Sequence, residues 1–210
     1  MDKGADSTIT WTGVTFLSGQ EANLDANDKA LLKQFNEMAK NMGIKSPIKL
    51  FSYERVNGDD GPNANSYMMN GTYVVGISQS LKRTMSAGSG SDLISSAVER
   101  MVAVMAHEEA HVKRKDMKPG ARGQHPGLDS INTELATDKK GMRATCNPQA
   151  LEEALTLAYL DAAREAGTTL SKIIKDELQD ASQMTHPLLP TRLAHLEYMK
   201  AHPSRSCKGK

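Results

Sequence analysis

The chain has 210 residues, 39% hydrophobic and 24% charged, with 26 Lys and Arg against 25 Asp and Glu. That length suits one domain at roughly 100–200 residues each, and the ordinary apolar content excludes global disorder. The near-balanced charge argues against a nucleic-acid binder, and no apolar run approaches the roughly 20 residues of a transmembrane helix.

In chain order, residues 1–24 read as an irregular arm rich in Gly, Ser and Thr. Asp25 or Asn27 can then cap a helix, in which Ala30, Leu31, Leu32, Phe35, Met38 and Ala39 recur at helical spacing up to Met42, with Gly43 as the stop. Pro47 opens a strand over residues 48–55. Residues 66–69 and 72–77 flank Asn70-Gly71, a strong hairpin signal. Residues 87–91 read as a flexible link, after which Ser91 or Asp92 caps a helix reaching about Lys115. Leu93, Ile94, Ala97, Val98, Met101, Val102 and Met105 recur there at three and four, so this helix is buried. Further helices are expected from about 129 to 145, 148 to 166, 170 to 184 and 191 to 201. The order predicts an α+β single domain over 25–202: a small antiparallel-containing sheet packed on a buried helix, followed by several helices. Residues 203–210 read as a flexible basic tail.

The buried helix carries His-Glu-Glu-Ala-His at 107–111, an instance of HExxH. On a helix His107 and His111 lie one turn apart on one face, so both imidazoles can reach one metal ion, while Glu108 is turned about 100° and can address a water. Burying such groups without a partner is costly, and a metal resolves that cost. Catalytic zinc takes three protein ligands and keeps one position open. The HExxHxxGxxH continuation is absent, since Arg114 and Met117 occupy its places. Glu134, 23 residues beyond His111, is the third-ligand candidate on the next helix. Asp138, one turn later, can accept a hydrogen bond from the far nitrogen of a ligating histidine, His107 being our choice.

HEEAH followed by ELATD resembles the HExxH…ExxxD pattern of gluzincin peptidases, and more narrowly the HtpX-like and CaaX-prenyl-protease group and its small soluble relatives, the minigluzincins. The similarity extends to Asn65-Ser66-Tyr67-Met68 with Tyr73-Val74-Val75, to Cys146-Asn147-Pro148, and to Thr185-His186-Pro187 with Arg192-Leu193, covering about residues 25–200. The resemblance implies a gluzincin-type fold and one zinc ion per chain. Ser66 and Glu109 depart from the pattern, and Glu109 would add negative charge near the metal. The family's membrane-spanning helices are missing, which points to a soluble member.

The implied chemistry is hydrolysis of peptide bonds in extended polypeptides, with zinc ligands His107, His111 and Glu134 and Glu108 as general base. By the same resemblance His186 and Arg192 are candidate donors to the oxyanion; Arg192 can instead pair with Glu134 or Asp138 and support the ligands. The substrate is expected to bind as a strand added at the Asn65, Ser66, Tyr67 and Met68 edge. Two other readings stand beside this one: a zinc-bound but idle or latent scaffold, with Cys207 as a possible plug, and a helical domain with a fortuitous motif. The start lacks an apolar leader core, which reads as cytoplasmic if the chain is complete and as periplasmic or secreted if a leader has been removed. Cys146 and Cys207 leave a disulfide open, and there is no GxSxG or phosphate-binding loop.

Overall fold

The computed structural model describes residues 11–55, 62–69, 71–87, 93–114, 126–179 and 189–202. Local signals set most of the elements. Asp25 caps α1 (Ala26–Asn41) by accepting from the Asp28 amide at 2.8 Å. Strand β2 (Ile48–Arg55) is followed by the hairpin of β3 (Ala64–Met69) and β4 (Thr72–Ser78). Ser78 accepts from the Leu81 amide and so starts α2 (Gln79–Ala87), a helix with no counterpart in the sequence expectations.

Helix α3 (Ala97–Arg114) begins about five residues later than periodicity suggested. The reason is a capping box. Ser96 accepts from the Glu99 amide while the Glu99 carboxylate accepts from the Ser96 amide, which leaves Leu93 and Ile94 outside the helix and Ile94 84% exposed. Among the described residues four helices follow: α4 (Pro126–Thr145), α5 (Pro148–Glu165), α6 (Leu170–Gln179) and α7 (Leu189–Ala201). The Asn147 cap and Pro148 open α5 as expected.

The fold is α+β, with one correction to the irregular arm: Trp11–Phe16 forms an edge strand, β1, hydrogen-bonded antiparallel to β2. The sheet order is β1-β2-β4-β3, with β2 and β4 parallel and β3 and β4 antiparallel. Leu50, Tyr73, Val75 and Ile77 turn to the helices and join Leu31, Phe35, Met101 and Met105 in the main core. Phe51, Tyr53 and Val74 cluster on the opposite face with Phe16 and Tyr67. Gly76 admits that cluster, because a Cβ there would lie 2.6 Å from the Phe51 ring. Among the described residues no helix is long and apolar enough to cross a membrane.

Candidate metal and active site

Helices α3 and α4 approach closely because small residues line their contact. A Cβ on Gly141 would lie 3.0 Å from the Ala106 carbonyl and the His107 nitrogen, so only glycine permits this spacing. Ala103 and Met142 then share a second core cluster with Leu151, Leu196 and Met199, which binds α5 and α7 to the same pair. Glu134 and Asp138, two turns and one turn before Gly141 on α4, are thereby brought against the HExxH segment.

His107, His111 and Glu134 converge. His107 Nε2 lies 3.1 Å from one Glu134 oxygen, His111 Nε2 lies 3.2 Å from the other, and the two Nε2 atoms are 3.2 Å apart. Tetrahedral zinc with bonds of about 2.0–2.1 Å separates its ligand atoms by roughly 3.3 Å, so the spacing and the donor set both fit that ion. His107 and Glu134 are buried, and His111 is mostly so.

Each imidazole is held from behind. His107 Nδ1 is 2.8 Å from Asp138 Oδ1, and His111 Nδ1 is 3.5 Å from the Thr137 hydroxyl, which donates to the Thr133 carbonyl at 2.7 Å. Thr137 escaped the sequence reading, although its place between Glu134 and Asp138 on the same helix was a usable signal. Arg192 of α7 grips Asp138 twice, Nε to Oδ2 at 2.9 Å and Nη2 to Oδ1 at 2.6 Å. Burial would raise the Asp138 carboxyl, but the charge of Arg192 and the contacts with His107 outweigh it and hold it down at about 2. Burial would lower His107, yet the Asp138 and Glu134 carboxylates carry it above its usual value.

Residues 25–124 match the model of peptidase family M48. The segment is of the M48 metallopeptidase family. Members of that family are zinc metallopeptidases. No curated protein and no solved structure matches the chain.

The M48 match ends before Glu134, Asp138 and Arg192, so the geometry alone joins those three to the HExxH segment. Glu108 is buried beside His107, at 8% exposure. His186 and Cys207 lie outside the described residues, and Cys146 has no disulfide partner among the described residues. On the M48 segment's edge strand β3 the side chains alternate. Asn65 and Tyr67 face the Phe51 cluster, while Ser66 and Met68 lie on the helix-facing side of the sheet, Met68 being 48% exposed.

Glu109 requires a correction. It was expected to add negative charge near the metal, but it is fully buried, and neither carboxylate oxygen has a hydrogen-bond partner among the described residues. It continues the stripe of Val98, Val102, Met105 and Val112 into the main core. Burial pushes its carboxyl up to about 9, so it is neutral at pH 7.

Proposed function

We propose that the protein is a zinc-dependent endopeptidase with His107, His111 and Glu134 as the metal ligands, Glu108 as the general base, and one zinc ion per chain. The observation that carries this reading is the convergence of two imidazole nitrogens and a carboxylate at 3.1–3.2 Å, with Asp138 behind His107. Zinc bound there would polarise a peptide carbonyl and acidify water. Glu108, next in sequence to the first ligand, takes the proton from the attacking water and passes it to the leaving nitrogen. Asp138 fixes the His107 tautomer with Nδ1 protonated, which frees the Nε2 lone pair for the metal, and Thr137 does the same for His111. Among the described residues β3 is an edge strand, and its outer side can offer backbone groups to an extended polypeptide, with Ser66 and Met68 on the helix-facing side.

Hydrolysis of casein by zinc-loaded protein, with Glu108→Gln in parallel, tests the assignment. Glu108→Gln keeps zinc and loses activity by roughly 10³-fold or more, the upper range for a general base. Equal cleavage by both proteins would remove Glu108 from the mechanism. Glu134→Ala is expected to lose zinc affinity, and retention of full affinity would refute the third-ligand assignment.

A further inference from the structure

Edge strand β3 turns three side chains toward the helices, and they change in kind along its length. Ala64 packs against the main core and Ser66 is small and half-buried. Met68 is large and 48% exposed, one of four large apolar side chains so exposed among the described residues. Helix α3 packs against this strand, and two contacts fix their relative direction. Near the start of α3, Arg100 donates to the Met85 carbonyl of α2, the helix that follows the far end of β4. At the other end of α3, Lys113 donates to the Gly43 carbonyl, in the turn before β2, whose Ile48 pairs with Tyr73 at the start of β4. Helix α3 therefore runs against β4 and along β3. Met68, the partner of Tyr73, lies toward the HExxH half of α3, whereas Ala64, the partner of Ile77, lies toward its first turns.

We propose that Met68 is a specificity-determining residue, which selects polypeptides carrying an apolar side chain at the one position that faces it. The proposal rests on the zinc endopeptidase reading above. A substrate strand added to the outer side of β3 alternates its side chains between the two faces of the sheet. Those on the helix-facing side lie beside Ser66 and Met68, where directly opposed Cβ atoms are about 4.5–5.5 Å apart. Met68 offers a flexible thioether, which adapts to aliphatic side chains and contacts aromatic rings through its sulfur. A charged residue at that position gives up hydration against an apolar side chain, which is unfavourable. Two residues along the substrate, the position beside Ser66 carries no such demand. The preference is therefore confined to one position at a fixed distance from the cleaved bond.

The test maps the cleavage sites in casein by mass spectrometry for the zinc-loaded full chain, as wild type, Met68→Ala and Met68→Glu, with Glu108→Gln as the inactive control. Peptides built on the best site, varied at the selected position, then give kcat and KM. Wild type is expected to cut where one fixed position is apolar. Met68→Ala lowers kcat/KM for the apolar peptide about two- to fivefold, the range of a cross-strand pair, chiefly through KM. Met68→Glu turns the preference at that position, and at no other, toward Lys or Arg. Both variants are expected to melt with wild type, because Met68 is half-exposed. Unchanged cleavage profiles in both variants, or a loss that is uniform over all peptides and accompanied by a lower melting temperature, would overturn the proposal. The Ala variant decides the matter if Met68→Glu does not fold. Wild-type protein that leaves casein intact, or cuts it no faster than Glu108→Gln, would overturn the peptidase reading and the proposal with it.

Discussion

Two faces of helix α3 bury ionisable groups, and they do so by opposite means. On the α4 side His107 meets Glu134 and Asp138, and Asp138 meets Arg192, so charge is matched by charge within hydrogen-bond distance. On the core side Glu109, only two residues along, has no hydrogen-bond partner among the described residues and is held neutral by burial alone. A buried carboxylate keeps its charge where a cation and donors surround it and gives it up where they do not. The difference separates a region built to orient ligands from one that tolerates an acid as a filler of space.

The largest effect should come from breaking the matched face. Asp138→Ala leaves Arg192 buried without its partner, a change that costs about 3–5 kcal/mol, and it should also lower zinc affinity. Asp138 has its carboxyl held at about 2 against an ordinary 3.8. Its contribution, roughly 2 kcal/mol, is therefore present above about pH 4 and is lost as pH falls toward 2. Denaturant melts of the metal-free protein between pH 2 and 5 read this directly. A flat stability over that range would show that the pair is not formed in solution.

The unmatched face slopes the other way. With Glu109 raised from 4.5 to about 9 in the folded state, the native protein holds a proton that the unfolded chain releases. Stability from this group is therefore unaffected below about pH 4.5 and declines from there to about pH 9. Glu109→Leu should stabilise the protein by about 3 kcal/mol at pH 7 and by much less at pH 4.5, with zinc affinity unchanged. A destabilised Leu variant at pH 7 would mean that Glu109 has a partner in solution.

The third prediction tests the spacing between the helices that build the matched face. Gly141→Ala places a methyl group 3.0 Å from the Ala106 and His107 backbone, where no flexible side chain can yield. Overpacking of this kind costs about 1–3 kcal/mol, and the loss should be accompanied by weaker zinc binding because Glu134 and Asp138 move with α4. Weaker folding at unchanged metal affinity would uncouple the glycine from the site.

How much of this was legible in the sequence follows from which forces are local. The HExxH and ExxxD spacings could be read because helical periodicity alone places the ligand pairs on one face, and the Asn70-Gly71 sequence signal announced the β3–β4 pair. The parallel pairing of β2 with β4 was hidden, since nothing near either strand encodes a partner some 25 residues away. Strand β1 was missed because six residues with Thr and Gly among them read as a loop until β2 supplies their hydrogen bonds. The Ser-x-x-Glu spacing of Ser96 and Glu99 is a capping-box signal that the sequence reading did not use, because it followed the helical periodicity of Leu93 and Ile94. The charge of Glu109 was misread for a different reason: a sequence records an acid, whereas only the packed core decides whether it ionises.

The smallest expected effect serves as the control for the comparison. Cys146, at the junction of α4 and α5, has φ +57°, a left-handed conformation that disfavours any residue with a Cβ. It is a position where a helix ends and where glycine is the usual solution. Cys146→Gly should therefore raise stability by about 0.5–1 kcal/mol, its Sγ contact with the Arg143 carbonyl being long, at 3.9 Å. The change lies just past the end of the helix that carries Glu134 and Asp138, about two turns beyond Asp138. Metal affinity should stay at the wild-type value while the melting temperature rises, in contrast to Gly141→Ala, where both fall. If Cys146→Gly altered zinc binding as well, the strain at this junction would be transmitted along α4, and the matched face would owe part of its geometry to the end of the helix as well as to its contact with α3.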